Sequence, residues 1–250
     1  MKVLVLGDVH GNAAALEAVL NAEADADASI YLGDSVLSGP QGNRVLELLR
    51  QLPPGPAIMG NHDMDLLEPA RYARHPAAWV DLNNWIVDSI DPAHLGWVRG
   101  LAPLGDYVVA DLHVHLHHGM VEGGPRHTLP DSPNESFMAL AGGSECPLVF
   151  FGHSHVQFER IVGHQRFINP GSVGQNRCGH VVACYGVIED GEYSPRQVAF
   201  DTRPWCDALG EVRALDARPG FRAWLTDGLT SGFGIGRNEP WTGYASQGFV

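Results

Sequence analysis

Five short blocks of the chain carry residue types able to do chemistry. They are Asp8-x-His10 followed by Gly11-Asn12, Gly33-Asp34, Gly60-Asn61-His62-Asp63, His118-Gly119, and Gly152-His153-Ser154-His155. Their side chains are imidazoles, carboxylates and one carboxamide. Mixed nitrogen and oxygen donors of this kind suit Mn, Fe, Zn, Co or Ni, and the lack of cysteine among them speaks against a structural zinc. On an extended strand end, Asp-x-His sends both side chains to one side, so Asp8 and His10 can reach one ion. His153 and His155 have the same spacing. The flanking glycines permit sharp turns and close approach of backbone. Turns and caps also favour Asp and Asn, but they have no need of histidine.

The run His113-Val-His-Leu-His117-His118 offers four candidates. Alternation places His113, His115 and His117 on one strand face and His118 on the other, at the strand's end beside Gly119. His118 is therefore preferred to His117 as a ligand, and His113 and His115 are expected to be packed or solvent-facing strand residues. His75, His94, His127, His164 and His180 are expected on the surface.

The elements that must hold these blocks follow from apolar patterning. Lys2-Val-Leu-Val-Leu-Gly7 is a short continuous apolar run, as a buried strand requires. A helix follows over 13–20, a strand over 29–32, a helix over 44–51 and a short strand over 57–59. That alternation implies parallel strands with crossover helices, whose ligand sites lie at the carboxyl ends of the strands. Residues 64–106, with Trp79, Trp85 and Trp97 among short helical pieces broken by proline, make a helical insertion whose tryptophans are expected in the core. From 107 onward the chain is β-rich, including runs over 156–161 and 181–188, and a second, more antiparallel sheet is expected. Two helices near 204–215 and 219–229 follow. One domain over residues 1–230 is expected, with a Gly-rich C-terminal tail over 231–250 that is expected to be loop and flexible.

Composition bounds the function. Among 250 residues, 44% are apolar and 18% charged, the profile of a globular protein with a sizeable core. With 16 Lys and Arg against 29 Asp and Glu, the formal charge is −13, which argues against a nonspecific basic grip on nucleic acid. Four scattered cysteines form no C-x-x-C pair and suit a reducing compartment. No signal-peptide pattern and no membrane-spanning run is present. The expected address is the cytoplasm.

In their order and spacing, the five blocks resemble the motifs D-x-H, G-D, G-N-H-[DE], H-G and G-H-x-H of the calcineurin-like metallophosphoesterases. Asn169-Pro-Gly-Ser-Val-Gly-Gln175 looks like a further signature of that superfamily's small prokaryotic phosphodiesterase branch. The resemblance implies an α/β fold, a two-sheet β-sandwich flanked by helices in four αββα layers, with a dinuclear metal site at the strand ends. It assigns Asp8, His10 and His155 to one ion, Asn61, His118 and His153 to a second, and Asp34 to both. Two divalent ions are implied, Mn²⁺ first among them, with Fe, Ni, Co and Zn as alternatives. A water shared by such ions is acidified enough to supply hydroxide for in-line attack on phosphorus. The resemblance places His62 at the leaving-group oxygen, oriented by a neighbouring carboxylate, here Asp63.

The implied reaction is hydrolysis of a phosphodiester, or a phosphomonoester, of small or nucleotide type. The implied partner is that small phosphate ester, with no stable nucleic-acid complex and no membrane; the sequence carries no signal for oligomeric state. Rival readings are a protein phosphatase, a dinucleoside-polyphosphate hydrolase, a nuclease, and a non-catalytic metal-binding interaction protein of the same fold. Gly33-Asp34-Ser-Val-Leu-Ser-Gly-Pro40 lacks the Asp-Arg dipeptide of many protein phosphatases, which weakens that reading. Cys178 stands where relatives more often carry a polar or charged residue. Arg126 and Arg177 could clamp phosphate, but no motif supports either, and both are expected as surface charges.

Overall fold

The first strand explains the layering. β1 (Lys2–Leu6) is apolar at four successive positions because both its faces are covered, and Val3, Leu4, Val5 and Leu6 are buried in the computed structural model, which describes residues 1–250. Leu4 and Leu6 enter one apolar cluster, while Val3 and Val5 enter another on the opposite face. Fully burying such a side chain stabilises the fold by about 1.5–3 kcal/mol.

The Leu4–Leu6 face packs on α1 (Ala13–Ala22) and α2 (Gly42–Leu49), through Leu16, Val19, Val45 and Leu46. β1 pairs in parallel with β2 (Ala28–Tyr31). Next come α3 (Asn61–Leu67), α4 (Ala77–Ser89) and α5 (Pro92–Arg99), so the stretch expected to be helical is helical. Ala57 and Ile58 make only isolated bridges, to Tyr31 and Ala102, in place of the expected third strand.

β3 (Gly105–Val109), β4 (Leu112–His117) and β5 (Leu148–Phe151) follow, with α6 (Asn134–Ala141) between the last two. β6 (Gln157–Val162) and β7 (Gln165–Pro170) complete a five-stranded sheet in the order β3-β4-β5-β7-β6, in which β4, β5 and β7 are parallel. β8 (Val182–Glu189) and β9 (Glu192–Ala199) return to the first sheet, whose order is β2-β1-β8-β9. Both sheets are thus mixed. The 181–188 run belongs to the first sheet, not the second, because Ile188 and Val187 pair antiparallel with Val3 and Leu4.

Val3, Val5, Ile30 and Ile188 of the first sheet meet Val114, Leu116, Phe150 and Ile168 of the second. α7 (Arg203–Gly210) and α8 (Pro219–Thr230) join the outer helical layer of the first sheet through Trp205, Leu209 and Leu225. On the far side, Val149 and Phe151 pack under Phe137 and Leu140 of α6. The four αββα layers are those expected. Residues 231–250 are not a loose tail: α9 (Trp241–Ser246) buries Trp241 and Tyr244 in the α6 cluster, and Gln157 N–H donates to Val250 O. No helix is long and apolar enough to cross a membrane.

Candidate metal centre and active site

The five blocks converge at one end of the two sheets, but not as extended strand ends. β1 stops at Leu6 and β5 at Phe151, and the chemistry-bearing residues follow in left-handed turns. Asp8, His10, Asp34, His153 and His155 have φ of 53°, 46°, 60°, 70° and 61°. The same-side geometry attributed to an extended chain is therefore corrected: left-handed backbone aims these side chains. It costs a non-glycine residue about 1–2 kcal/mol, offset here by hydrogen bonds. Asp8 N–H donates to Gly33 O at 2.9 Å and Gly11 N–H to Ser35 O at 2.9 Å. Gly60 and Gly152 are glycines for want of space. A Cβ on Gly60 would overlap Asp34 Oδ1, and one on Gly152 would sit 2.8 Å from Asp8 Oδ2.

Three trios of donor atoms each fall within 4.8 Å: Asp8, His10 and His155; Asp34, His118 and His153; and His10, Asp34 and His62. Asp34 is shared, with Oδ2 3.6 Å from His10 Nε2 and 3.2 Å from His118 Nε2. Its Oδ1 accepts His62 N–H at 2.8 Å, while Oδ2 is buried and has no hydrogen-bond partner. Asn61 Oδ1 lies 3.0 Å from His118 Nε2. All seven residues expected to hold metal are brought together.

The imidazoles are oriented by backbone carbonyls. His10 Nδ1 donates to Leu37 O at 3.0 Å, His155 Nδ1 to Gln175 O at 2.9 Å, and His118 Nδ1 to Leu32 O at 2.7 Å. Each Nε2 therefore faces the centre, the arrangement that fixes the tautomer of metal-bound histidine. His153 donates Nε2–H to Arg126 O at 3.0 Å, leaving Nδ1 inward, and its N–H donates to Asp8 Oδ2 at 3.0 Å. Burial lowers His10 to about 4 and holds His153 and His155 well below the usual imidazole range. These rings are neutral at pH 7, as ligands must be. Burial pushes Asp8 up to about 7. His118 differs: burial would lower it, but Asp34, Asp8 and the Leu32 carbonyl together outweigh burial and raise it to about 10. Asp34 is driven up by burial yet held well below the usual carboxylate range by His118 and His62. A shared carboxylate oxygen free of hydrogen bonds and the inward lone pairs of His10, His153 and His155 fit divalent cations.

The carboxylate that His62 faces is Asp65, at ion-pair distance and without a hydrogen bond, not Asp63. His62 Nδ1 lies 3.4 Å from Asp65 Oδ2, whereas the Asp63 carboxylate, wholly buried, accepts Asp34 N–H at 2.8 Å, Ser35 N–H and Gly60 N–H at 2.9 Å, and the Ser35 hydroxyl. Asp63 thus locks the Asp34 turn to the start of α3. The physical reason is helical: α3 begins at Asn61, so the residue on His62's face is three positions on. Burial opposes charge on His62, but Asp34 and Asp65 raise its pKa above the ordinary value.

A cleft of about 810 Å³ opens over the centre, with Asn61, His62 and His153 reaching it beside Ser38, Trp79 and Arg126. Trp79 thus lines the cleft as well as packing on Phe221 and Trp224. Several residues expected on the surface are elsewhere. His94 is buried, and His127 stacks on His153 at 4.8 Å with Trp241 against its edge at 5.0 Å. Arg177 is buried with its guanidinium carbon 3.9 Å above the Trp241 ring. Arg126 is exposed, as expected. Only docking of the tail brings Trp241 here, and no local pattern signals it.

Residues 1–190 match the calcineurin-like phosphoesterase superfamily domain. The chain belongs to that superfamily. The chain is 28% identical over 216 residues to protein MJ0912 of Methanocaldococcus jannaschii, covering 76% of this chain and 84% of that one. A metallophosphoesterase from Sphaerobacter thermophilus superposes with a TM-score of 0.70 at 26% identity, over 93% of this chain and 100% of the other. The hypothetical protein PH1004 of Pyrococcus horikoshii shares the fold at a TM-score of 0.78 and 16% identity, over 95% and 99% of the two chains.

Proposed function

We propose that this phosphoesterase hydrolyses phosphodiester bonds of small or nucleotide substrates with two divalent ions, Mn²⁺ first among them. Asp8, His10 and His155 would hold one, Asn61, His118 and His153 the other, and Asp34 both. The carrying observation is the Asp34 carboxylate, whose partnerless Oδ2 lies between His10 Nε2 and His118 Nε2. When bound, the ions supply Lewis acidity toward phosphate oxygens and acidify a shared water. His62 supplies a proton to the departing oxygen. Its Nδ1 faces Asp65, and its ring reaches the cleft.

The cleft is of small-ligand size, and the charge of −13 disfavours a nuclease. A complete donor set with His62 in place argues against a non-catalytic role. Four free cysteines accord with a cytoplasmic address. The test is a panel of phosphomonoesters, phosphodiesters, cyclic nucleotides, dinucleoside polyphosphates and a phosphoprotein, each assayed with added Mn²⁺. Turnover concentrated on small diesters supports the proposal. Turnover confined to monoesters or the phosphoprotein overturns it.

A further inference from the structure

Arg177 is a buried cation with no ion-pair partner. It is 7% exposed, its Nε is buried with no hydrogen-bond partner, and its guanidinium rests on the face of Trp241 at 3.9 Å. Such a cation is costly to bury unless something of opposite charge meets it. It lies near the metal centre: two residues earlier the Gln175 carbonyl accepts His155 Nδ1–H, and the Asp8 carboxylate is close enough to act on its charge. Burial lowers its pKa to about 9, opposed by the Asp8 carboxylate, so it stays cationic at neutral pH. Asp8 acts on it only through space: no carboxylate pairs with the guanidinium, and Asp8 itself belongs to the first donor trio.

We propose that Arg177 holds the substrate's phosphoryl group, gripping a non-bridging oxygen beside the Asp8–His10–His155 trio, and that Trp241 of the docked C-terminal segment fixes the guanidinium for that task. A planar guanidinium matches phosphate geometry and keeps its orientation when stacked on an indole. Trp241 in turn abuts His127, which stacks on His153, so the clamp and a metal-binding ring share one aromatic support. This assignment rests on the phosphoesterase reading above.

The test titrates inorganic phosphate calorimetrically into Mn²⁺-loaded full-length protein, comparing wild type with Arg177→Met and Arg177→Lys. Losing charge-assisted hydrogen bonds should weaken phosphate binding by about 10–100-fold in Arg177→Met. KM for a phosphodiester should rise more than kcat falls, with metal content unchanged. Arg177→Lys keeps the charge but loses the fork, and should weaken binding by several-fold. Equal phosphate affinity in wild type and Arg177→Met, with the wild-type metal content, overturns the proposal and leaves Arg177 as a support for Trp241. Should Arg177→Met fail to fold, Arg177→Lys decides: weakened phosphate binding supports the clamp, and wild-type affinity overturns it. A wild type that binds phosphate but hydrolyses no phosphoester refutes the phosphoesterase reading, while the calorimetric comparison still decides Arg177.

Discussion

His10 Nε2 and His155 Nε2 lie 3.1 Å apart, both turned into the candidate metal centre. Each ring spends its one proton on a backbone carbonyl, Leu37 O for His10 and Gln175 O for His155. Burial keeps both rings neutral at pH 7, so two lone pairs face each other. A cation reached by both would remove that repulsion, and Asp8 Oδ1, 3.6 Å from His155 Nε2, would supply its anionic ligand.

The shared position of Asp34 separates it from the other ligands. Asp34→Asn should lower occupancy of both ions, whereas Asp8→Asn should chiefly empty one. Elemental analysis of the purified variants checks this, and two full ions in Asp34→Asn would remove the basis for its shared role.

His62→Ala should retain both ions and lose about 10²–10⁴ in rate on alkyl or nucleotide esters. The loss should be much smaller on nitrophenyl esters, whose leaving group departs unaided. Asp65→Asn should lower the pKa of His62, because Asp65 raises it. The acid form is then lost at lower pH, so the alkaline limb of kcat on alkyl esters should move down. An unmoved limb, measured across pH on one alkyl ester, would detach Asp65 from His62.

Asp63→Ala should act on stability. It strands the Asp34, Ser35 and Gly60 N–H groups that the buried carboxylate now satisfies, at a cost on the order of 3 kcal/mol or more. Urea unfolding of the chelator-treated protein reads this without interference from metal binding.

The metal-free protein should be most stable near pH 6–7. His10, His117 and His127 are lowered to about 4 by burial, and His153 and His155 are lowered too. Their unfolded forms take up protons near the ordinary pKa of about 6.5 while the folded forms do not, so stability falls as pH drops from there toward 4. Asp8, raised to about 7, and Asp63, also raised by burial, work the other way over part of that window, but they are two groups against five. Above it, His118, raised to about 10, loses its favourable charge as pH rises, and stability falls again. Melting temperatures of chelator-treated protein across pH 4–10 would contradict this if they rose steadily in either direction.

The metal centre was legible because its residues occur in compact blocks whose types serve few other purposes. Asp8, Asn61 and His153 each sit in such a block. What escaped depends on three-dimensional closure. Asp65 is hidden because Asn61 to Asp63 reads as the end of a strand, where the neighbour in sequence is the neighbour in space, and not as the first turn of a helix. The return of β8 to β1 was hidden because an apolar run does not name its partner strand. Trp241, Arg177 and His127 meet only once the last twenty residues dock, and a Gly-rich segment gives no periodicity from which docking can be inferred.

The central claim is that Asp34 bridges two ions. Anomalous scattering from crystals of the Mn²⁺-loaded protein tests it most directly. Two peaks about 3.5–4 Å apart are expected, both within bonding distance of the Asp34 carboxylate, one against His10 and His155 and the other against Asn61, His118 and His153. A single peak, or two peaks of which only one touches Asp34, would contradict the account.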